Sequence, residues 1–125
     1  DAKINKDQVD YINFHGTSTI VNDKVETLAV KNLFNSLSQK IPVSSTKSMT
    51  GHPQGASGAL GVTVSLLSLC NNFLTPTINQ ESPDPECDLD YVPNIGREKN
   101  LSIAISNCIS FGSKNSALVL GKFSR

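Results

Sequence analysis

The chain has 125 residues, enough for one compact domain and short for two, and its 38% hydrophobic content can supply a core. Lys plus Arg equals Asp plus Glu, 11 each, so the net charge is zero; this argues against nucleic-acid binding, which normally shows a basic excess or stripe. The longest apolar stretch, Leu60 to Cys70, is interrupted by Thr63, Ser65 and Ser68 and is too short and too polar to span a bilayer.

The polar start DAKINKDQVD carries no secretory pattern, and with Asp1 in place of an initiator methionine the sequence is expected to be a piece of a longer protein. Cys70, Cys87 and Cys108 are widely spaced and odd in number. They make neither a metal pattern nor a disulfide framework, so no metal site and a reducing, cytoplasmic setting are expected.

In chain order, VDYINFH (Val9–His15) alternates and reads as a strand. GTSTIVND is a turn cluster in which Asn22 or Asp23 can cap a helix over about Asp23 to Leu37, with Glu26 in its first turn. Val25, Leu28, Ala29, Leu33, Phe34 and Leu37 would form its apolar face. IPVSSTK reads as a short strand. A second helix follows from about Gly55 to Asn71, starting in small residues and continuing apolar nearly all round, so it is expected to be buried in the middle of the fold. FLTPTIN looks extended, QESPDPECDLDYVPN reads as a surface loop, and LSIAISN and SALVLGKF read as strands joined by CISFGSKN. The order is β-α-β-α-β-loop-β-β, an α/β fold with a mixed sheet.

The chain has only two histidines. Each stands at a strand exit in a turn rich in Gly, Thr and Ser, FHGTST for His15 and TGHPQG for His52, and Lys47 lies five residues before the second. Sites in α/β proteins gather at strand ends. Alone, each histidine would be a surface or capping residue, Lys47 a solvated lysine and Phe111 a core side chain. If the two turns meet, two neutral imidazoles can donate N–H groups to one oxygen and stabilise charge developing there. A nearby lysine would hold them neutral by repulsion. No serine or cysteine stands on a nucleophile elbow.

YINFHGTST, VSSTKSMTGH, TPTIN and PDPECDLDYVPN, in that order, resemble the C-terminal part of beta-ketoacyl-acyl-carrier-protein synthases, condensing enzymes of the thiolase superfamily. The resemblance runs from about Val9 to Phe123 and implies a thiolase-like half-fold: a mixed sheet with a buried Gly/Ala-rich helix and a covering helix. It implies that residues 1–125 are the C-terminal part of a ketosynthase domain, with the nucleophilic cysteine in an N-terminal part not present here. His15, His52 and Lys47 match the family's catalytic residues, the two histidines binding the malonyl thioester carbonyl. Thr17 and Thr19 match threonines on the phosphopantetheine arm. Phe111 and Gly112 in SFGS match the gate of the acyl pocket. The implied partners are acyl carrier protein and acyl and malonyl thioesters, with a homodimer for the intact enzyme. No cofactor is implied beyond the phosphopantetheine that the carrier brings. The isolated piece is expected to be inactive and, with apolar surface uncovered, to self-associate.

Four positions depart from the family pattern, among them Asn22, which stands where a glycine is common. Gly61 stands where a glutamate is usual in the network around the lysine, leaving Asp23 or Glu26 as replacement partners, and Ser110 and Ser113 replace loop glycines. These leave room for a non-catalytic partner subunit of the chain-length-factor type. GHPQGASGAL is also close to the thiolase histidine motif, with Cys108 in the region of the thiolase acid–base cysteine, but HGTST and SSTKS are ketosynthase features. The expected function is decarboxylative condensation in fatty acid or polyketide synthesis.

Overall fold

A computed structural model describes residues 2–123. The elements are β1 (Tyr11–Asn13), α1 (Asn22–Phe34), β2 (Val43–Ser44), α2 (Lys47–Thr50), α3 (Ser57–Asn71), β3 (Phe73–Leu74), β4 (Arg97–Glu98), β5 (Ile103–Cys108) and β6 (Ser116–Gly121). Four of the strands form one mixed sheet in the order β2-β1-β5-β6. β1 runs parallel to both neighbours, pairing Ile12 with Val43 and with Ile105, and β6 returns antiparallel along β5. β3 and β4 make a separate antiparallel ribbon.

Strand periodicity sorts the core into two layers. Ile12 and Phe14 point to one face, where they pack with Val30 and Phe34 of α1, Val43 and Leu89, and Ile103 and Ile105 join them. Tyr11 and Ala104 point to the other face, against Leu69 of α3, Leu74, Val92 and Leu101. The sheet is therefore covered by α1 on one side and α3 on the other, as an α/β fold requires. The polar tip of Tyr11, fully buried, meets the Ser44 hydroxyl at 2.8 Å, so a phenol in the second layer leaves no orphan.

α3 meets the sheet through its small residues. Ser57, Gly61, Ser65 and Ser68 form the buried face together with Leu69. A Cβ on Gly61 would lie 2.9 Å from Ser106 Oγ and 3.3 Å from Asn13 Oδ1. Glycine there lets the helix ride close over β1 and β5, and a glutamate would have to displace both side chains. The sequence expects this helix to be covered all round. In this chain its outer face is open, with Leu66 and Leu67 exposed, as are Leu118 and Val119 of β6.

α1 differs from expectation in phase. Its buried residues are Glu26, Thr27, Val30 and Phe34, while Val25, Leu28 and Leu33 are exposed. Polar anchors turn the helix: Glu26 binds the turn after β1, and the Thr27 hydroxyl bonds the Tyr91 phenol. The helix also ends at Phe34, followed by a 3₁₀ stretch Asn35–Lys40. The acidic loop is a surface segment as expected, but Leu89 and Val92 anchor it in the core, and Lys31 holds Asp88 with two contacts of 2.8 Å. α2 begins at Lys47, the last residue of the stretch IPVSSTK expected as a strand, and β4 lies between the acidic loop and LSIAISN, where the sequence reading places no element.

Candidate active site

Because β1 and β2 are parallel neighbours, their carboxyl ends lie side by side. His15 follows β1 by two residues. Lys47 opens α2 just beyond β2, and His52 follows α2 past Gly51, whose φ is 73°. Gly16 is what allows the two strand exits to touch. It has φ 43°, and a Cβ there would fall 2.5 Å from the Ser45 Cβ. Across this contact the Ser45 hydroxyl donates to the Gly16 carbonyl at 2.8 Å. The result brings together what sequence order separates: the imidazoles of His15 and His52 stand edge to face, with ring centroids 5.2 Å apart.

Glu26 holds the first of these turns. Its carboxylate accepts the backbone N–H of His15 at 2.8 Å and of Gly16 at 2.9 Å, and the side-chain amide of Asn107 from β5 at 3.0 Å. The side-chain amide of Asn22 adds a contact of 3.3 Å. Burial pushes the Glu26 carboxyl above its usual range, against the opposing pull of those hydrogen bonds.

His15 is 5% exposed, and its Nδ1 is buried without a partner among the described residues. Burial first, then the Lys47 ammonium, then His52 lower its pKa from 6.5 to about 4. The imidazole is therefore neutral at physiological pH and is a hydrogen-bond donor through one nitrogen only. Lys47 is itself held below the usual lysine range by burial, partly offset by attraction to Glu26 and Cys108. Among the described residues, no ion pair reaches the Lys47 ammonium. Of the two acids considered for Lys47, Glu26 is thus the one that acts on it, and it does so at a distance.

A pH dependence follows from this arrangement. The folded state favours neutral His15, so the unfolded chain binds the extra proton as pH falls through 6.5. The contribution of His15 to stability is present above 6.5 and is lost as pH falls toward about 4. Any reaction that needs neutral His15 keeps its acid limb near 4. Lys47→Met removes one cause of the lowering, so that limb is expected to move to higher pH; kcat/KM against pH for the full-length protein checks this.

His52 is solvent-exposed in this chain. Its Nδ1 receives the backbone N–H of Gln54 at 3.0 Å and lies 2.9 Å from the Ser57 hydroxyl. Thr17 and Thr19 touch each other at 3.2 Å, and the Thr19 hydroxyl also accepts the Asn22 N–H that opens α1. Both threonines line a groove of about 780 Å³ that also takes in Gly16, Lys24, Lys47, Thr77 and Tyr91. Phe111 is fully exposed, and a Cβ on Gly112 would meet nothing within 4 Å. The structure brings His15 and His52 together, with Lys47 close enough to act on His15, and Thr17 and Thr19 share their groove with Lys47, while Phe111 and Gly112 are both exposed. Among the described residues there is no cluster of metal-ligating side chains and no helix long and apolar enough to cross a membrane.

Residues 1–81 match the model of the beta-ketoacyl synthase C-terminal domain. The chain belongs to the beta-ketoacyl synthase family. It is 50% identical over 122 residues to the 3-oxoacyl-(acyl-carrier-protein) synthase 2 of Coxiella burnetii, covering 98% of this chain and 30% of that protein. Against the enzyme of the same name from Staphylococcus aureus it is 47% identical over 123 residues, with the same coverage of 98% and 30%. The chain thus spans about 30% of the length of these curated relatives. Its fold is that of a chain in a type II polyketide synthase acyl-carrier protein complexed with its ketosynthase bound to the hexaketide, at TM-score 0.97 and 37% identity over 99% of this chain and 30% of that one. The ishigamide ketosynthase/chain length factor gives TM-score 0.92 and 36% identity over 97% of this chain and 30% of the other. The thiolase-like α/β fold is thereby shown, over about 30% of each relative rather than half of it.

Within this ketosynthase part, sequence reasoning missed two roles. Glu26 reads as a helix-dipole residue, yet it grips the His15 turn. Ser57 reads as one small residue among many, yet it meets His52. A carboxylate one helical turn into the element after HGT, and a hydroxyl five residues beyond GH, are the signals that mark them.

Proposed function

We propose that this chain is the C-terminal part of a 3-oxoacyl-acyl-carrier-protein synthase, acting with a nucleophilic cysteine from a part of the protein outside it. The reading is carried by the meeting of His15 and His52 at 5.2 Å, one held neutral by burial and Lys47, the other with Nδ1 already occupied. Two neutral imidazoles placed this way can each give one N–H to a single thioester oxygen.

In the proposed reaction an acyl group first sits on the cysteine as a thioester. A malonyl group then enters on the phosphopantetheine arm of an acyl carrier protein, along the groove between Thr17, Thr19 and Lys47. The bond from the malonyl methylene to its carboxylate breaks, carbon dioxide leaves, and the electron pair moves into an enolate whose oxygen is held by His15 and His52. The enolate carbon attacks the acyl thioester, and the cysteine departs as a thiolate, leaving a 3-ketoacyl chain on the carrier. Electrons balance without a redox partner, so phosphopantetheine on the carrier is the only prosthetic group the scheme uses. Thr19 has a second task, since its hydroxyl also starts α1. Phe111 and Gly112 would join the site only once the rest of the enzyme folds over them.

A homodimer and a cytoplasmic setting belong to the same proposal, the latter supported by three free thiols. The proposal takes in fatty acid or polyketide synthesis: the curated relatives are 3-oxoacyl-(acyl-carrier-protein) synthases at 50% and 47% identity, and a polyketide ketosynthase complex shares the fold at 37% identity. The test is to incubate the full-length protein with an acyl-primed carrier and malonyl carrier and to read the product by mass spectrometry. A chain longer by two carbons with a 3-keto group is expected. Carrier binding with no such product would assign the protein to the non-catalytic partner subunits.

A further inference from the structure

With Ala56 at the N-cap position before it, Ser57 is the first residue of α3, where a hydroxyl can be spent on the helix start. Its Oγ instead lies 2.9 Å from Nδ1 of His52. The direction of that bond is decided by a second donor. The backbone N–H of Gln54 reaches the same nitrogen at 3.0 Å. An amide N–H can only donate, so Nδ1 carries its lone pair and no proton. The serine must then donate as well, and the two donors share one in-plane lone pair. The imidazole proton is left on Nε2.

We propose that Ser57 is the positioning residue that fixes the tautomer and orientation of His52. The two donors are not equivalent. Gln54 sits in an exposed turn with φ 44°, and its neighbour Gly55 has nothing within 4 Å of where a Cβ would be. Ser57 is 7% exposed and belongs to the small-residue face of α3 that rests on β1 and β5. The serine therefore ties the ring to the sheet that carries His15, while the amide ties it only to the local turn. This also explains the choice of residue in GAS: alanine would fit the seam equally well, but only a hydroxyl reaches the ring. A histidine so held presents Nε2–H as its single free donor, the state the proposed enolate oxygen needs, and in that respect the inference rests on the proposed function.

The test uses the full-length protein labelled with nitrogen-15 in histidine, as wild type, Ser57→Ala and Ser57→Thr. Two-bond proton–nitrogen correlations at neutral pH read the tautomer directly and do not depend on catalysis. Wild type and Ser57→Thr are expected to show His52 wholly in the Nε2–H form, and Ser57→Ala a mixture with the Nδ1–H form. Decarboxylation of malonyl carrier by Ser57→Ala should fall about fivefold to tenfold in kcat, the effect of one ordinary hydrogen bond. KM and the rate of cysteine acylation should stay as in wild type, and Ser57→Thr should recover most of the loss. An Nδ1–H tautomer in wild type, or an unchanged His52 spectrum in Ser57→Ala, overturns the proposal even if Ser57→Ala folds poorly enough to confuse its kinetics. Absence of decarboxylation in wild type with the spectra as expected would instead sink the proposed reaction and leave the role of Ser57 standing.

Discussion

His15→Ala in the full-length protein is expected to lower malonyl decarboxylation by about 10²–10³-fold, the usual effect of deleting one donor from a site that stabilises developing negative charge. The expectation comes from how the ring is held. It is 5% exposed, it stays neutral to about pH 4, and its main chain is clamped by Glu26. Such a group costs no reorganisation when charge appears on the substrate. The loss should fall on kcat with little change in KM for malonyl carrier, because the thioester oxygen becomes strongly basic only as carbon dioxide leaves. Acyl transfer to the cysteine should be nearly unaffected. Steady-state carbon dioxide release and single-turnover acylation, measured side by side, check both halves of the expectation.

The largest expected effect on stability is at Glu26. The residue is 2% exposed and accepts two main-chain N–H groups and two side-chain amides. Glu26→Ala would leave the buried N–H of His15 and the half-buried N–H of Gly16 without an acceptor, at about 1–3 kcal/mol for a fully buried donor and less for the other. A loss of roughly 3 kcal/mol is therefore expected in urea unfolding of the full-length protein. Glu26→Gln should lose less. It relieves the burial of a charge, which already raises the carboxyl pKa, and keeps one oxygen for the main chain, although its NH₂ must face a donor. Equal stability of wild type and Glu26→Ala would mean that the turn after β1 is held by Gly16 and Ser45 alone.

Much of the architecture is legible in the chain because periodicity is local information. The alternation in VDYINFH, the apolar run behind GASGALG and the closing pair of strands all appear where expected, shorter by a residue or two at their ends. The face of α1 is not legible that way. Val25, Leu28 and Leu33 have the hydropathy of a core stripe, yet the helix is rotated by the demand of buried polar groups: Glu26 must reach two N–H donors, and Thr27 must reach Tyr91. Hydropathy does not encode such a demand. The two histidines are legible as candidates from their place at strand exits, and Lys47 from its place five residues before the second. The device that joins them, a glycine at 16 whose missing Cβ admits Ser45, depends on a contact between residues 29 apart and becomes visible only in three dimensions. The same holds for Gly61, where a departure from the family pattern proves to be a fit between α3 and the side chains of Ser106 and Asn13.

In the proposed reaction the histidine pair drives loss of carbon dioxide from a malonyl thioester. The most direct measurement is release of labelled carbon dioxide from malonyl carrier by the full-length protein, comparing wild type with His52→Ala. Wild type is expected to release carbon dioxide, coupled to a 3-ketoacyl product when an acyl primer is present, with a fall of about 10²–10³-fold in the variant. Release at the same rate in both, or none from a folded wild type that still binds the carrier, would contradict the proposed reaction.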